Sequence, residues 1–372
     1  ERWRVFLLLR HMLRTYAKMI LATARTPGAR RQVVRRLLVL PMWYIINHTG
    51  LALDRLLFPG YRKVKIVKPI FLMGFGRSGT TFLHRVLNDG RNFCAFETWE
   101  LFFPSLTIRT LLRPLVRALE RRGRDVLQDA ATGHEARLRT VEEEELLFLH
   151  IFDTQFVERF TSLKFSQEDF PELFYNDTAP HRHAAVGFLA GCLQRQIYST
   201  GKSQVLAKAN PMLMRARTLR EHFPDAKFVY LVRNPIEAIA SHLSQRRRLV
   251  LREMGARLAP ALLERYLTRR YALNVEMYRY AQTLIVERIL PPESVIEVRY
   301  PDLVHDLYKT LMKIVDFTGL QVDDRLKARW RQQADAQAAY QAAHKNVPLS
   351  EFGLTEDRVR KDLDFVFERY GF

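Results

Sequence analysis

Apolar and polar positions follow two different rhythms along this chain. Over residues 1–58 the apolar side chains recur at helical spacing. Trp3, Phe6, Leu7, Leu9, Leu13, Ile20 and Leu21 are interleaved with Arg2, Arg4, Arg10, Arg14 and Lys18, which predicts an amphipathic helix with cationic flanks. Gly28 breaks the pattern, and Arg30, Arg31, Arg35 and Arg36 then precede the apolar run Leu37–Ile46. That run of ten residues is too short to span a bilayer and lacks the small-residue cleavage site of a secretory signal. A second apolar stretch, 51–58, is interrupted by Asp54 and Arg55. From residue 64 the rhythm changes. Near-continuous apolar runs at 64–74, 92–96, 203–208, 227–232 and 295–298 read as buried strands. Helices are predicted over 105–140, 185–198, 211–222, 236–244 and 258–288, then near 302–317 and 322–343, with a last one ending near Tyr370. Residues 160–182, with Pro171, Asn176, Asp177 and Pro180, read as a loop or lid. Strands alternating with helices predict an α/β protein: a P-loop-like three-layer fold with a central parallel sheet flanked by helices, plus an N-terminal helical extension. The domain boundary falls between a basic amphipathic region, 1–63, and a globular domain, 64–372.

In open parallel sheets ligands bind beyond the carboxyl ends of the strands, so the residues that follow each apolar run carry the interest. After the first run come Gly74-Phe-Gly-Arg-Ser-Gly-Thr-Thr81. Gly74 and Gly79 are spaced as in a P-loop, and a strand, a glycine turn and a helix start together form a phosphate cradle. Thr80 stands where a P-loop lysine would, and Arg77 supplies the cation from inside the loop. The other strand-end residues are Glu97 and Glu100, Lys208 and Arg233. Cations that hold an anionic donor, with a carboxylate that takes a proton from an acceptor hydroxyl, suit transfer of an anionic group. No apolar strand ends in a well-placed aspartate, so magnesium is not demanded. The acids Glu142–Glu145 open an amphipathic segment, a favourable placement at a helix start. His181 and His183 flank Arg182 with no further ligand near them in sequence, and no metal site is expected.

Charge sharpens the picture of the N-terminus. Of the net +19, residues 1–68 hold fifteen Lys/Arg against two acids, Glu1 and Asp54, so most of the basicity lies there. Arginine-rich helices with aromatic and aliphatic faces suit either packing on the globular domain or an in-plane membrane contact. Nucleic acid is excluded as the partner, since the aromatics lie within apolar runs and no nucleic-acid motif occurs. Two distant cysteines, Cys94 and Cys192, exclude a disulfide scaffold and a zinc site, and make a reducing compartment the simpler expectation.

These residues resemble the sulfotransferases that use 3′-phosphoadenosine 5′-phosphosulfate (PAPS), nearest to their largely bacterial branch. The segment Gly74–Thr81 is similar to the family's 5′-phosphosulfate loop, which implies donor contacts from Gly76, Arg77, Ser78, Gly79, Thr80 and Thr81. Arg233-Asn-Pro-Ile-Glu-Ala-Ile-Ala-Ser241 is similar to its 3′-phosphate motif, an arginine with a serine eight residues on. Val298-Arg-Tyr-Pro-Asp-Leu303 resembles its tyrosine-acid-leucine segment, and His344-Lys345 its late loop over the nucleotide. The resemblance spans 64–372, the implied sulfotransferase domain. It departs at Lys208-Ala-Asn210, where the cytosolic enzymes carry lysine, threonine and a histidine base. Asn210 cannot take a proton, so the resemblance to the carbohydrate, tyrosyl-protein and trehalose branches points to Glu97 or Glu100 as base. The Glu-Leu-Phe-Phe-Pro context leans toward Glu100. The implied reaction is in-line sulfuryl transfer from PAPS to a hydroxyl of a lipid, sterol-like, small-molecule or carbohydrate acceptor, aided by Arg77 and Lys208 and needing no metal. A P-loop kinase or nucleotide hydrolase, and a non-catalytic membrane-associated P-loop-like protein, are the alternatives. The sequence admits peripheral membrane contact through residues 1–58, a cytoplasmic location on the inner membrane face, and a homo-oligomer.

Overall fold

The structure, a computed structural model, describes residues 2–26, 30–89, 91–128, 136–166, 177–255, 258–338 and 347–372. The elements in chain order are α1 (Arg2–Arg25), α2 (Arg30–Leu57), β1 (Ile70–Gly74), α3 (Thr80–Leu87), α4 (Thr98–Phe102) and α5 (Leu106–Arg121). Next come β2 (Val126–Gln128), β3 (Ala136–Arg137), α6 (Val157–Phe160), α7 (Arg182–Thr200), β4 (Leu206–Lys208), α8 (Ala216–His222) and β5 (Lys227–Val232). The chain ends with α9 (Pro235–Met254), α10 (Pro260–Val286), β6 (Val295–Arg299), α11 (Tyr300–His305), α12 (Leu307–Thr318), α13 (Asp324–Ala338), α14 (Glu356–Asp362) and α15 (Asp364–Tyr370). They form two compact units. The first comprises residues 1–66, 94–203 and 249–266, the second residues 67–93, 204–248 and 267–372.

The second unit holds the central parallel sheet. Its four strands run in the order β4-β1-β5-β6. The register sets Leu72 of β1 beside Lys208 of β4, and Gly74 beside Leu231 of β5. Strand β1 is buried along its whole length, as is β5 from Phe228 to Val232, which is why both read as unbroken apolar runs. Helices flank the sheet. Leu83 and Val86 of α3, Leu303 of α11 and Leu311 of α12 close one core with Ile70, Leu72 and Leu231. The fully buried Trp330 of α13 joins it and donates its indole N–H to the Val86 carbonyl at 2.8 Å.

The first unit is helical. Asp54, which interrupts an apolar run of α2, is fully buried and caps the start of α5. It accepts from Thr107 N and Leu106 N at 2.8 and 3.0 Å, from Ser105 Oγ at 2.9 Å, and from Arg195 Nε of α7 at 2.7 Å. Burial alone would raise its pKa, but the hydrogen bonds from Thr107, Arg195 and Leu106 outweigh it and hold the carboxylate below its ordinary value. Helix α1 packs against α2 and α7 through one face, where His11, Met12, Thr15, Met19, Ala22 and Thr23 are buried.

Several sequence expectations are corrected here. Residues 92–96 form no strand. Phe93, Cys94 and Phe96 are buried, but the backbone of Phe96 is met by Glu144 Oε1 at 3.4 Å and by the N–H of Glu142 at 3.2 Å. An apolar run reports burial, and burial does not require a sheet. The helix expected over 105–140 stops at Arg121, and the short antiparallel pair β2–β3 follows. The acids 142–145 lead into a 3₁₀ helix, Glu144–Ile151, with Glu144 and Glu145 buried. Helix α9 continues ten residues beyond the expected end at Ser244, to Met254.

Candidate functional site

The loop between β1 and α3 lies at the carboxyl edge of the sheet. Its backbone is unusual twice over: Arg77 has φ 72° and Gly79 φ 91°. Gly79 is bound to be glycine, because a Cβ there would sit 2.8 Å from two ring carbons of Tyr300. Alternation of ordinary and left-handed residues is the geometry of an anion-binding nest. The first N–H groups of α3, from Thr80 onward, add donors that have no intrahelical partner. Thr80 is buried and Thr81 half-buried. Ser78 is fully buried, with its hydroxyl close to that of Tyr278. A Cβ added at Gly76 would meet only the His242 ring, at 3.7 Å, so the loop is open there.

Three cations stand after three adjacent strands, since Arg77 follows β1, Lys208 ends β4 and Arg233 follows β5. Arg77 Nε donates to Ser241 Oγ of α9 at 3.1 Å, and Arg233 Nη1 donates to the Arg77 carbonyl at 3.0 Å. The strained φ of Arg77 is thus held from both ends, by a side-chain and a main-chain bond. Arg233 also pairs with Glu237 one turn on, Nη2 to Oε2 at 2.8 Å, and its guanidinium lies 4.4 Å from the ring centroid of Tyr300. Burial, then the charges of Arg233 and Arg248, lowers the pKa of Arg77 below its ordinary value. Crowded guanidiniums of this kind favour a bound anion. Lys208 is buried at the end of β4, and the next residue, Ala209, donates its N–H to Leu72 O at 2.7 Å. Asn210 immediately precedes the 3₁₀ turn Pro211–Arg215.

A buried platform supports the loop. His242 Nδ1 lies 3.1 Å from Asn274 Oδ1, and Arg246 Nε donates to His242 Nε2 at 3.0 Å. These partners assign the neutral ring with its proton on Nδ1. Burial foremost, and then Arg246, hold its pKa well below the ordinary value. Phe75 packs edge-on against His242 and close to Tyr278, whose hydroxyl donates to Arg233 O at 3.3 Å. Sequence reading found Arg77, Arg233, Ser241 and Lys208, and the structure sets the first three in one hydrogen-bonded chain. It missed His242, Asn274 and Tyr278, which lie outside the glycine and strand-end patterns. Tyr300 was visible only as part of 298–303. His344 and Lys345 lie outside the described residues.

Glu97 and Glu100 belong to the first unit, at the start of α4. Glu100 is buried and occupied as a cap. Its Oε2 accepts from Glu97 N and from Gln196 Nε2, both at 2.9 Å, while Oε1 lies 3.8 Å from Arg109 Nη1. Glu97 is half-buried, accepting from Trp99 Nε1 at 2.9 Å and pairing with Arg139 Nε at 3.2 Å. The first unit also gathers His11, Asp153 and His181, a set with the composition of a metal site. The expectation that His181 has no ligand near it is therefore corrected: its neighbours come from distant stretches of chain. The geometry reads as an anchor for α1. Asp153 takes Arg182 Nη1 on both oxygens at 2.8 Å, and His11 Nε2 points at the Phe152 carbonyl at 3.1 Å while its ring stacks on His181.

A model of the sulfotransferase family matches residues 69–324, more than half of the chain and inclusive of the loop, Arg233–Ser241 and 298–303. The chain belongs to the sulfotransferase family. Its structure is similar to that of sulfotransferase STF9 from Mycobacterium avium, with a TM-score of 0.74 at 15% identity over 98% of this chain and 95% of that one. Sulfotransferase STF1 from Mycobacterium tuberculosis H37Rv is similar at a TM-score of 0.65 and 17% identity, over 94% and 91% of the two chains. At such identities the likeness establishes the fold, N-terminal helices included. No curated protein matches the chain. The sulfotransferase is thus an α/β enzyme whose glycine-rich loop, Gly74–Thr81, sits at the carboxyl edge of a four-stranded sheet.

Proposed function

We propose that residues 64–372 form the sulfotransferase domain, with residues 1–63 as a basic helical region before it, and that the enzyme moves the sulfuryl group of PAPS in line onto an acceptor hydroxyl, leaving adenosine 3′,5′-bisphosphate. The observation that carries the donor assignment is the chain Ser241–Arg77–Arg233, in which Arg77 donates to the serine and Arg233 donates to the Arg77 carbonyl. The cradle fits a 5′-phosphosulfate: the helix start, the buried Ser78 hydroxyl and the open face at Gly76 offer donors and room. Gly79, Thr80 and Thr81 complete it. Arg233 and Ser241 fit the 3′-phosphate and set the register of the donor.

Arg77 and Lys208 neutralise charge that builds on the transferring group and on the bridging oxygen, in a site where burial strengthens electrostatics. His344 and Lys345 would close over the nucleotide. A glutamate of α4 takes the acceptor proton. Glu100 and Glu97 are both candidates, and each carries two donors on its Oε2, Glu97 N and Gln196 on Glu100, Trp99 and Arg139 on Glu97. No residue role in this reading calls for a metal. The acceptor carries a hydroxyl, on a lipid, sterol-like molecule, small molecule or carbohydrate.

Radiolabelled sulfuryl transfer from PAPS to a mixed pool of hydroxylated acceptors, with mass spectrometry to find the gain of one sulfonate, tests the reading. Arg77→Ala loses most turnover, and Arg233→Ala mainly weakens donor binding. Transfer untouched by both changes removes the assignment.

A further inference from the structure

Helix α1 is apolar on two opposite faces. One is packed into the first unit, as described above. The other is a continuous exposed stripe: Phe6, Leu9, Leu13, Ala17, Ile20 and Ala24 recur at steps of three and four. Leu13 is 72% exposed, and Trp3 at the start of the helix 68%. Helix α2, also of the first unit, carries a second stripe through Leu38, Met42, Ile45, Leu53 and Leu56, all exposed. Scattered exposed leucines need no explanation, but two stripes on neighbouring helices do.

The charge beside the α1 stripe says what covers it. Arg10, Arg14, Lys18 and Arg25 each follow a stripe position by one residue, a turn of about 100° round the axis, so they line one flank of the apolar face. Between Arg2 and Leu53 there is no Asp or Glu, and the next acid, Asp54, is buried against Arg195. A second copy of this chain would set one such cationic flank against another. An anionic phospholipid surface complements both the stripe and its flank. No described helix is long and apolar enough to cross a bilayer, which leaves the in-plane arrangement.

We infer that α1, supported by α2, docks the enzyme on anionic phospholipid membranes, with the Phe6–Ile20 stripe in the acyl boundary and Arg10, Arg14 and Lys18 at the headgroups. The inference stands apart from the donor site, which lies in the other unit.

The test uses the full chain with vesicles of phosphatidylcholine alone and of phosphatidylcholine with phosphatidylglycerol at about seven to three. Co-sedimentation is read together with the emission of Trp3, with Trp3→Phe as control. The chain is expected to bind the anionic vesicles, release them as salt rises, and shift Trp3 emission to the blue. Arg10→Gln with Arg14→Gln weakens partitioning on the order of 30-fold, about fivefold for each cation lost. Leu13→Ser, an exposed position that leaves the fold intact, weakens binding at both lipid compositions. Three results overturn the inference: no binding to anionic vesicles at low salt; equal binding to neutral and anionic vesicles unmoved by the variants; or a concentration-dependent dimer abolished by Leu13→Ser in a chain that ignores vesicles. Calorimetry with adenosine 3′,5′-bisphosphate on the same preparations reports the donor site separately.

Discussion

Replacing Gly79 by alanine tests how tightly the cradle is built. Two costs add. At φ 91° an L side chain occupies the left-handed region, a penalty of about 1–2 kcal/mol. The new Cβ would also lie 2.8 Å from Cδ2 and Cε2 of Tyr300, and overpacking of this kind costs about 1–3 kcal/mol. The ring has to yield, and it is the ring over which the Arg233 guanidinium rests at 4.4 Å. The damage therefore passes from the loop to Arg233, the two ends of the proposed donor site. Gly79→Ala is expected to lower stability by about 2–5 kcal/mol in urea unfolding and to weaken adenosine 3′,5′-bisphosphate at least tenfold by calorimetry, the equivalent of about 1.4 kcal/mol. The double variant Gly79→Ala with Tyr300→Ala removes the collision and leaves the φ strain, so its loss of stability falls short of the sum of the single changes. Wild-type stability and affinity in Gly79→Ala would refute the reasoning.

Three further outcomes follow from buried charge. Asp54→Ala leaves Arg195 and the first N–H groups of α5 without their carboxylate, and is expected to cost about 3–5 kcal/mol in urea unfolding; an unchanged midpoint would show that the cap carries no weight. Burial, above all, lowers His11 to about 4 and His150 to about 3, so both are neutral in the fold while the unfolded chain takes protons near 6.5. Stability is then complete above about pH 6.5 and is lost as pH falls toward 4, with His11 alone costing about 2 kcal/mol by pH 5. His11→Gln should flatten that dependence, and an equally steep curve would exclude His11 as its source. Glu97→Gln and Glu100→Gln each lose partners and are expected to lower the unfolding midpoint; assayed well below that midpoint, the one that abolishes turnover is the base, and full turnover in both would remove the glutamate base.

Legibility in the sequence tracked how local each cause is. Strands β1 and β5 could be read because a strand covered on both faces is an unbroken apolar run, and the cradle because glycine, cation and hydroxyl residues lie within eight positions, 74–81. Residues 92–96 carried the same apolar signature and are not a strand, since the bonds to the Phe96 backbone come from Glu142 and Glu144. Asp54 looked like a flaw in an apolar stretch, yet it is a buried cap whose arginine lies 141 residues away. Separation along the chain likewise hid the neighbours of His181 and the platform of His242 and Asn274 beneath the loop. Pairings that close only in the folded chain leave no periodicity to find.

The central claim is that the loop and the Arg233–Ser241 pair hold the two ends of one nucleotide, and calorimetry of adenosine 3′,5′-bisphosphate against 5′-AMP tests it most directly. Without added metal, the intact chain is expected to lose at least tenfold in affinity when the 3′-phosphate is removed, and Arg233→Ala with Ser241→Ala is expected to bind the two nucleotides alike. Equal affinity of the intact chain for both nucleotides, with tighter binding of ATP and magnesium, would contradict it.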